Sequence, residues 1–226
     1  MDHLQLLAAA YVRGYVINYG GSLCAGLLNT PLDELTDAQA AELAAYGKQH
    51  GMKMYRFKEK DDLPRVRAVL GFLRAVSPES ALDVGSGRGA FLFPFLRDFP
   101  DTPVTSLDIL PYRAAFLQML RDGGITRLTA VQADICAWDA PDGCFDVVTL
   151  LEVLEHIPDA ERAIVNAARL CRRYIVVSVP SKPDNNPEHI HLLTKDRLTA
   201  LFNAAGIYRL HFSGVNGHLF LTATKE

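Results

Sequence analysis

No apolar run in this chain approaches the roughly 20 residues that a membrane-spanning helix requires. The nearest, LQLLAAAYV close to the N-terminus, is ended by Arg13, and the residues around it carry Asp2 and no basic opening stretch of the kind that begins a secretory leader. A cytoplasmic protein without membrane contact is therefore expected. Cysteine is sparse too. Cys24, Cys136, Cys144 and Cys171 form neither a C-x-x-C pair nor a zinc-knuckle spacing, so a disulfide framework is excluded and buried, unreactive thiols in a reducing compartment are expected. Net charge is nearly absent at −3, which leaves no global field to draw nucleic acid and only a local patch to do so. Internal repeats and low-complexity segments are missing, which removes repeat architectures.

What the chain does have is ordinary globular composition: 226 residues, 49% hydrophobic and 22% charged, enough for one core with an appendage rather than two full domains. From about Pro78, short β-rich runs alternate with amphipathic helical runs: ALDVG, AFLFPFLRDF, VTSLDIL, YRAAFLQMLRDGG, LTAVQAD, then FDVVTLL, DAERAIVNAARLC, YIVVSVP and KDRLTALFNAAG. That rhythm predicts a doubly wound, mostly parallel α/β sheet covered by helices on both faces. The last two runs, IYRLHFSG and GHLFLTATKE, are separated by Asn216 and Gly217 without a helix, which predicts an antiparallel hairpin at one sheet edge. Residues 1–62 read instead as a helical lead-in or lid before a main domain over 63–226. Thr36 with Gln39 forms a capping-box pattern, and Pro64 suits the first turn of a helix.

Chemistry begins at LDVGSGRGA, where Gly85, Gly87 and Gly89 fall between a predicted strand and a predicted helix. Glycines there permit a sharp turn and close approach of a ligand, but GSGRGA also fits a dinucleotide fingerprint. Charge separates the two. Asp83, Asp108, Asp134 and Glu152 each stand at or near the end of a successive predicted strand, so four carboxylates surround one crevice. A pyrophosphate is repelled there, whereas S-adenosylmethionine brings an ammonium, a sulfonium and ribose hydroxyls that need acceptors.

With LDVGSGRG, LDIL, QADI, FDVVTLLEVLEHIPD, YIVVSVP and the closing hairpin in place, the chain over about residues 63 to 226 resembles the class I S-adenosylmethionine-dependent methyltransferases. The resemblance implies a Rossmann-like, seven-stranded sheet whose last strand is antiparallel. It also implies Gly85 and Gly87, with Asp83, at the methionine portion of the donor, and Asp108 with Ile109 at the ribose. Asp134 and Ile135 are implied at the adenine, and Leu151 and Glu152 beside the sulfonium. One departure from the family pattern is LCRRYIVV in place of the usual Lys-Pro-Gly-Gly turn.

For the acceptor, the informative segments are LEVLEHIPD and SVPSKPDNNPEHIHLLT. Glu152, Glu155 and His156, facing His189 from the second segment, form a donor set of mixed oxygen and nitrogen that suits manganese, iron or cobalt, with magnesium as a further candidate. This pattern is similar to the small-RNA 3′-terminal 2′-O-methyltransferases, in which an E-x-x-E-H element and a later histidine bind a metal. Against it, Pro158 disfavours helical geometry at Ile157, limiting the i, i+3, i+4 face to one turn. On the metal-free reading His156, with Glu155, serves the acceptor as base or pocket residue, and Pro158 and Asp159 start the next helix. His189 and His191 then become loop residues.

Lys48, Lys53, Arg56, Lys58, Lys60, Arg65 and Arg67, interleaved with Tyr55 and Phe57, read either as a solvated connection, as an RNA-facing surface or as part of a lid. The expected protein is a methyltransferase for a small or modest-sized polar acceptor at oxygen or nitrogen. The alternatives are a metal-dependent RNA ribose 2′-O-methyltransferase and a non-catalytic donor-binding regulatory subunit.

Overall fold

The computed structural model describes residues 1–57, 63–183 and 185–225. The lead-in contains helices α1 (His3–Tyr19), α2 (Ala25–Asn29) and α3 (Asp37–Gln49). Then follow α4 (Pro64–Val76), β1 (Ala81–Val84), α5 (Leu92–Asp98), β2 (Val104–Asp108), α6 (Pro111–Asp122), β3 (Leu128–Gln132) and β4 (Phe145–Leu151). The chain closes with α7 (Ala160–Leu170), β5 (Cys171–Pro180), α8 (Lys195–Ala204), β6 (Arg209–Val215) and β7 (His218–Thr224). The described strands form one seven-stranded sheet in the order β3-β2-β1-β4-β5-β7-β6, parallel except that β7 runs antiparallel to both its neighbours. This is the doubly wound sheet the alternation predicts. Asn216 and Gly217, at φ 40° and 83°, make the left-handed pair that a two-residue hairpin needs.

Neighbouring residues of a strand face opposite sides of the sheet, and the core divides accordingly. Leu82, Val148, Ile175 and Val177 pack with Ala163 and Ile164 of α7 and Leu198 and Phe202 of α8. Ala81, Val147 and Val176 face the other way, into a cluster with Val69 of α4, Phe95 of α5 and Phe116 of α6. Strand order reverses between β1 and β4, so the carboxyl ends of these strands open a crevice at the switch point.

The lead-in is helical as expected, and its signals hold: Gln39 N–H donates to Thr36 Oγ1 at 3.2 Å while Thr36 N–H donates back to Gln39 Oε1 at 2.9 Å. Pro64 stands in the first turn of α4. The described part of the lead-in packs as a buttress. Nearly every residue of α1 from Leu7 to Gly14 is buried, so the helix is enclosed on all sides rather than along one stripe. Its backbone lies directly on that of α6: a Cβ added at Gly14 would stand 1.8 Å from the Met119 carbonyl oxygen, and one added at Gly123 would stand 1.8 Å from that of Ala10. Phe57 continues this packing, stacked on Phe93 at 5.7 Å between centroids and tilted against Tyr11 at 5.5 Å. Arg56 lies over the Phe116 ring at 4.3 Å. Lys58 and Lys60 lie outside the described residues.

Two further expectations are refined. α7 runs into β5 without the usual glycine turn, because Arg172 and Arg173 pair with the buried Asp146 of β4 at 3.0 and 2.9 Å and pin the strand start. Of the cysteines only Cys171 is buried. Cys24 and Cys144 lie in exposed connections and Cys136 is half-buried, which corrects the expectation of uniformly buried thiols. Among the described residues no helix is long and apolar enough to cross a membrane.

Candidate functional site

The crevice holds a cavity of about 820 Å³, the size range of small-molecule sites. Its floor is the loop after β1. Gly85, at φ 69°, takes a backbone shape that side chains avoid, and a Cβ there would come 2.6 Å from Val153 Cγ2 of the neighbouring loop. Beneath this loop a polar row crosses the sheet. The register sets Asp83 of β1 opposite Ser106 of β2 and Thr149 of β4. Thr149 Oγ1 donates to Asp83 Oδ1 at 2.7 Å, Ser86 Oγ donates to Asp83 Oδ2, and Ser86 and Ser106 share a hydroxyl contact at 2.5 Å.

Burial pushes the Asp83 carboxyl up to about 6, against the hydroxyl donors of Ser86 and Thr149, which favour the charged form; nearby Asp108 adds to the rise. The folded protein thus keeps a proton that the unfolded chain has already released. The stability from neutral Asp83 is present at low pH and is lost as pH rises through about 6. A cationic ligand over the loop has the opposite preference, for ionised Asp83. Affinity for a cationic ligand is therefore expected to be flat above pH 6 and to weaken below it by up to about tenfold per pH unit. Calorimetry at pH 5 and 7.5 checks this, and Asp83→Asn should abolish the slope. A slope that survives in that variant would assign it to another group.

Asp108 ends β2 with its side chain 3% exposed. Its Oδ1 accepts from Leu110 N–H at 3.0 Å, whereas the buried Oδ2 receives no hydrogen bond from the described residues; Arg113 Nη1 stands 3.6 Å away. A buried carboxylate oxygen left in this state is ready for a hydroxyl donor from a ligand. Asp134 Oδ1 accepts from Cys136 N–H at 2.9 Å, a local turn that fixes the start of the next connection. Asp134, Ile135, Ile109 and Leu151 all line the cavity, Ile109 being 61% exposed, so the apolar surface a planar base requires is available. The acids and glycines that the sequence reading carried to the donor therefore all line this cavity.

The acceptor side is divided. Leu154–His156 form one turn of 3₁₀ helix, and Ile157 before Pro158 is extended, as the proline rule requires. Asp159 then caps α7, accepting from Arg162 N–H at 3.0 Å. Glu155, His156 and His189 bring one ligand atom each to within 4.8 Å of one another. Glu152, the fourth residue of the expected metal set, is turned elsewhere. Its backbone is left-handed at φ 56°, Oε1 accepts from Ser178 Oγ at 2.7 Å, and Oε2 pairs with His218 Nε2 at 3.0 Å.

Of the clustered three, only His156 lines the cavity. His156 Nδ1 faces the Glu188 carbonyl at 2.9 Å, so that nitrogen carries hydrogen, and in the neutral ring Nε2 holds the lone pair. His156 and His189 meet edge to face, 4.8 Å between centroids. His191 serves differently, its Nε2 donating to the Ile157 carbonyl at 3.0 Å and thereby tying the loop after β5 to the loop after β4. Glu155, 1% exposed, joins the same seam: its carbonyl accepts from Ile190 N–H at 3.0 Å.

Sequence reasoning overlooked three residues of the site, Ser106, Thr149 and His218. Ser106 and Thr149 are polar residues inside apolar strands, a signal that was legible. Arg65 enters the cavity with Val66 and Val69 from α4, and it alone of the basic segment's described residues does so. His218 arrives from β7, with no local signal in the sequence.

Residues 82–174 match the family model described as a methyltransferase domain. The chain is 34% identical over 111 residues to a ubiquinone biosynthesis O-methyltransferase of Vibrio cholerae, an overlap of 48% of this chain and 44% of the relative. It thus spans about half the length of the curated relatives it matches. A 1,6-didemethyltoxoflavin-N1-methyltransferase of Burkholderia thailandensis, solved with S-adenosylhomocysteine bound, superposes with a TM-score of 0.56 at 23% identity, covering 80% of this chain and 84% of that one. An S-adenosylmethionine-dependent methyltransferase from Aquifex aeolicus superposes at 0.54 and 15% identity, covering 73% and 99%.

Proposed function

We propose that this chain, a member of the class I S-adenosylmethionine-dependent methyltransferase superfamily, moves the donor's methyl group to a hydroxyl oxygen of a small polar acceptor. The observation that carries the donor half is the buried Oδ2 of Asp108, which receives no hydrogen bond from the described residues and suits a ribose hydroxyl. Ionised Asp83 balances the donor's ammonium from beneath the glycine loop, and Arg65 supplies a cation for its carboxylate from α4. The donor contributes an electrophilic methyl on a sulfonium sulfur, so the protein's part is to exclude water and align the attacking oxygen. As the acceptor oxygen bonds to the methyl carbon, the carbon–sulfur bond breaks and its electron pair stays on sulfur. The hydroxyl proton passes to His156 Nε2, the lone pair that the Glu188 carbonyl leaves free.

Calorimetry with donor and demethylated product, followed by methyl release with a panel of phenols and aliphatic alcohols, tests this reading. His156→Ala is expected to lower kcat about a hundredfold or more while donor affinity stays within about threefold. A wild-type protein that binds neither donor nor product would sink the proposal. Donor binding without transfer to any acceptor would favour a regulatory subunit.

The cluster of Glu155, His156 and His189 supports a second reading, in which these residues hold a divalent cation that acidifies the acceptor hydroxyl. One carboxylate and two imidazoles fit manganese or iron, and His156 links the cluster to the cavity. On an RNA ribose this version also needs salt-sensitive RNA binding. Turnover that is unchanged in chelator and by Glu155→Ala removes it.

A further inference from the structure

We propose that His218 is a positioning residue of the transfer site, holding the Glu152 carboxylate in the orientation that faces the donor's cationic centre. The proposal rests on the donor reading above. It follows from how three strand ends converge on one carboxylate. Glu152, just past β4, has its N–H donating to the Ser178 carbonyl of β5 at 2.8 Å and its φ at 56°, so the backbone turns the side chain across the sheet toward β5 and β7. There Ser178 Oγ donates to Oε1 at 2.7 Å and His218 Nε2 meets Oε2 at 3.0 Å. Each carboxylate oxygen therefore has its own protein donor, and the cavity, which Glu152 and Ser178 line, meets the remaining lone pairs.

His218 is itself held from both ends. Its Nδ1 lies 3.1 Å from the Asn216 carbonyl, which together with Nε2 at the Glu152 carboxylate sets the ring plane. The hairpin that carries it is anchored, because Ser181 N–H and Oγ both donate to the Gly217 carbonyl, at 2.9 and 2.8 Å. Pairing of Pro180 with His218 across β5 and β7 completes the register that brings the imidazole to Glu152. Glu152 thus lies apart from the Glu155, His156 and His189 cluster, and its partners come from strands rather than from the acceptor loop.

Donor affinity, measured by calorimetry on the full chain with S-adenosylmethionine, tests this in wild type, His218→Ala, His218→Gln, Glu152→Gln and the His218→Ala/Glu152→Gln pair. His218→Ala is expected to weaken donor binding about tenfold, the scale of one hydrogen bond to a charged group. Glutamine, whose amide nitrogen reaches the place of Nε2, is expected to restore affinity to within about threefold. The double variant should bind no more weakly than Glu152→Gln alone, the signature of two residues acting as one. Unchanged affinity in His218→Ala, failure of glutamine to rescue, or additive losses in the double variant would each overturn the assignment. A wild-type protein that binds no donor would overturn the donor reading and this proposal together, whereas normal wild-type binding that His218→Ala leaves intact overturns this proposal alone.

Discussion

Asp108→Ala is expected to weaken donor binding about a hundredfold while the protein stays folded. The carboxylate ends β2 at the mouth of the crevice and has one oxygen occupied by Leu110 N–H and the other buried without a hydrogen bond from the described residues. A ribose diol would donate to it, and charge-assisted bonds of this kind contribute roughly 1.5–3 kcal/mol each, so losing the carboxylate removes about 3 kcal/mol of donor binding. The fold should lose little, because the alanine also relieves a buried charge whose nearest cation, Arg113, stands at 3.6 Å. Calorimetry gives the first quantity and thermal unfolding the second. A loss below tenfold would refute the ribose role.

The second large effect concerns stability. Gly123→Ala places a methyl group within bonding distance of the Ala10 carbonyl, against main chain that has no rotamer with which to yield. Overpacking of this kind is expected to cost about 3 kcal/mol, lowering the unfolding temperature by about 6–12 °C in a chain of this size. Gly71→Ala in α4 is the internal control. Nothing lies within 4 Å of its added Cβ, so the gain in helix propensity should stabilise by about 0.5–1 kcal/mol. Equal unfolding temperatures for the two variants would show that α1 yields freely, contrary to its packing.

Legibility in the sequence followed the range of the interactions involved. The glycine loop, Asp83, Asp108 and Asp134 were readable because each belongs to a single strand and the turn after it, where local pattern and position coincide. The one-turn limit at Pro158 was readable for the same reason. Glu152 was read as the residue beside the donor's sulfonium and also, by its spacing from Glu155, as a member of a metal set, whereas the structure leaves it outside the Glu155, His156 and His189 cluster. Its left-handed backbone and its Ser178 and His218 partners depend on register between β4, β5 and β7, which no stretch of sequence contains. The packing of the lead-in was not drawn from the sequence although a clue was present. LQLLAAAYV is apolar on successive residues, without the one-sided stripe of a surface helix, and such a helix belongs in an interior.

The contact between α1 and α6 bears on how the crevice meets its ligands. α6 starts at Pro111, immediately beyond the segment that presents Asp108 and Ile109, and its far end rests main chain to main chain on α1. The wall that carries Asp108 and Ile109 is in effect the tip of a braced two-helix beam. The other side is built from the connections after β4 and β5, joined through His156, Ile190 and His191 by hydrogen bonds to main-chain carbonyls. One side of the crevice is therefore a fixed jaw and the other an adjustable one, so substitutions in the connection after β5 are expected to reshape the second side while the first stays in place.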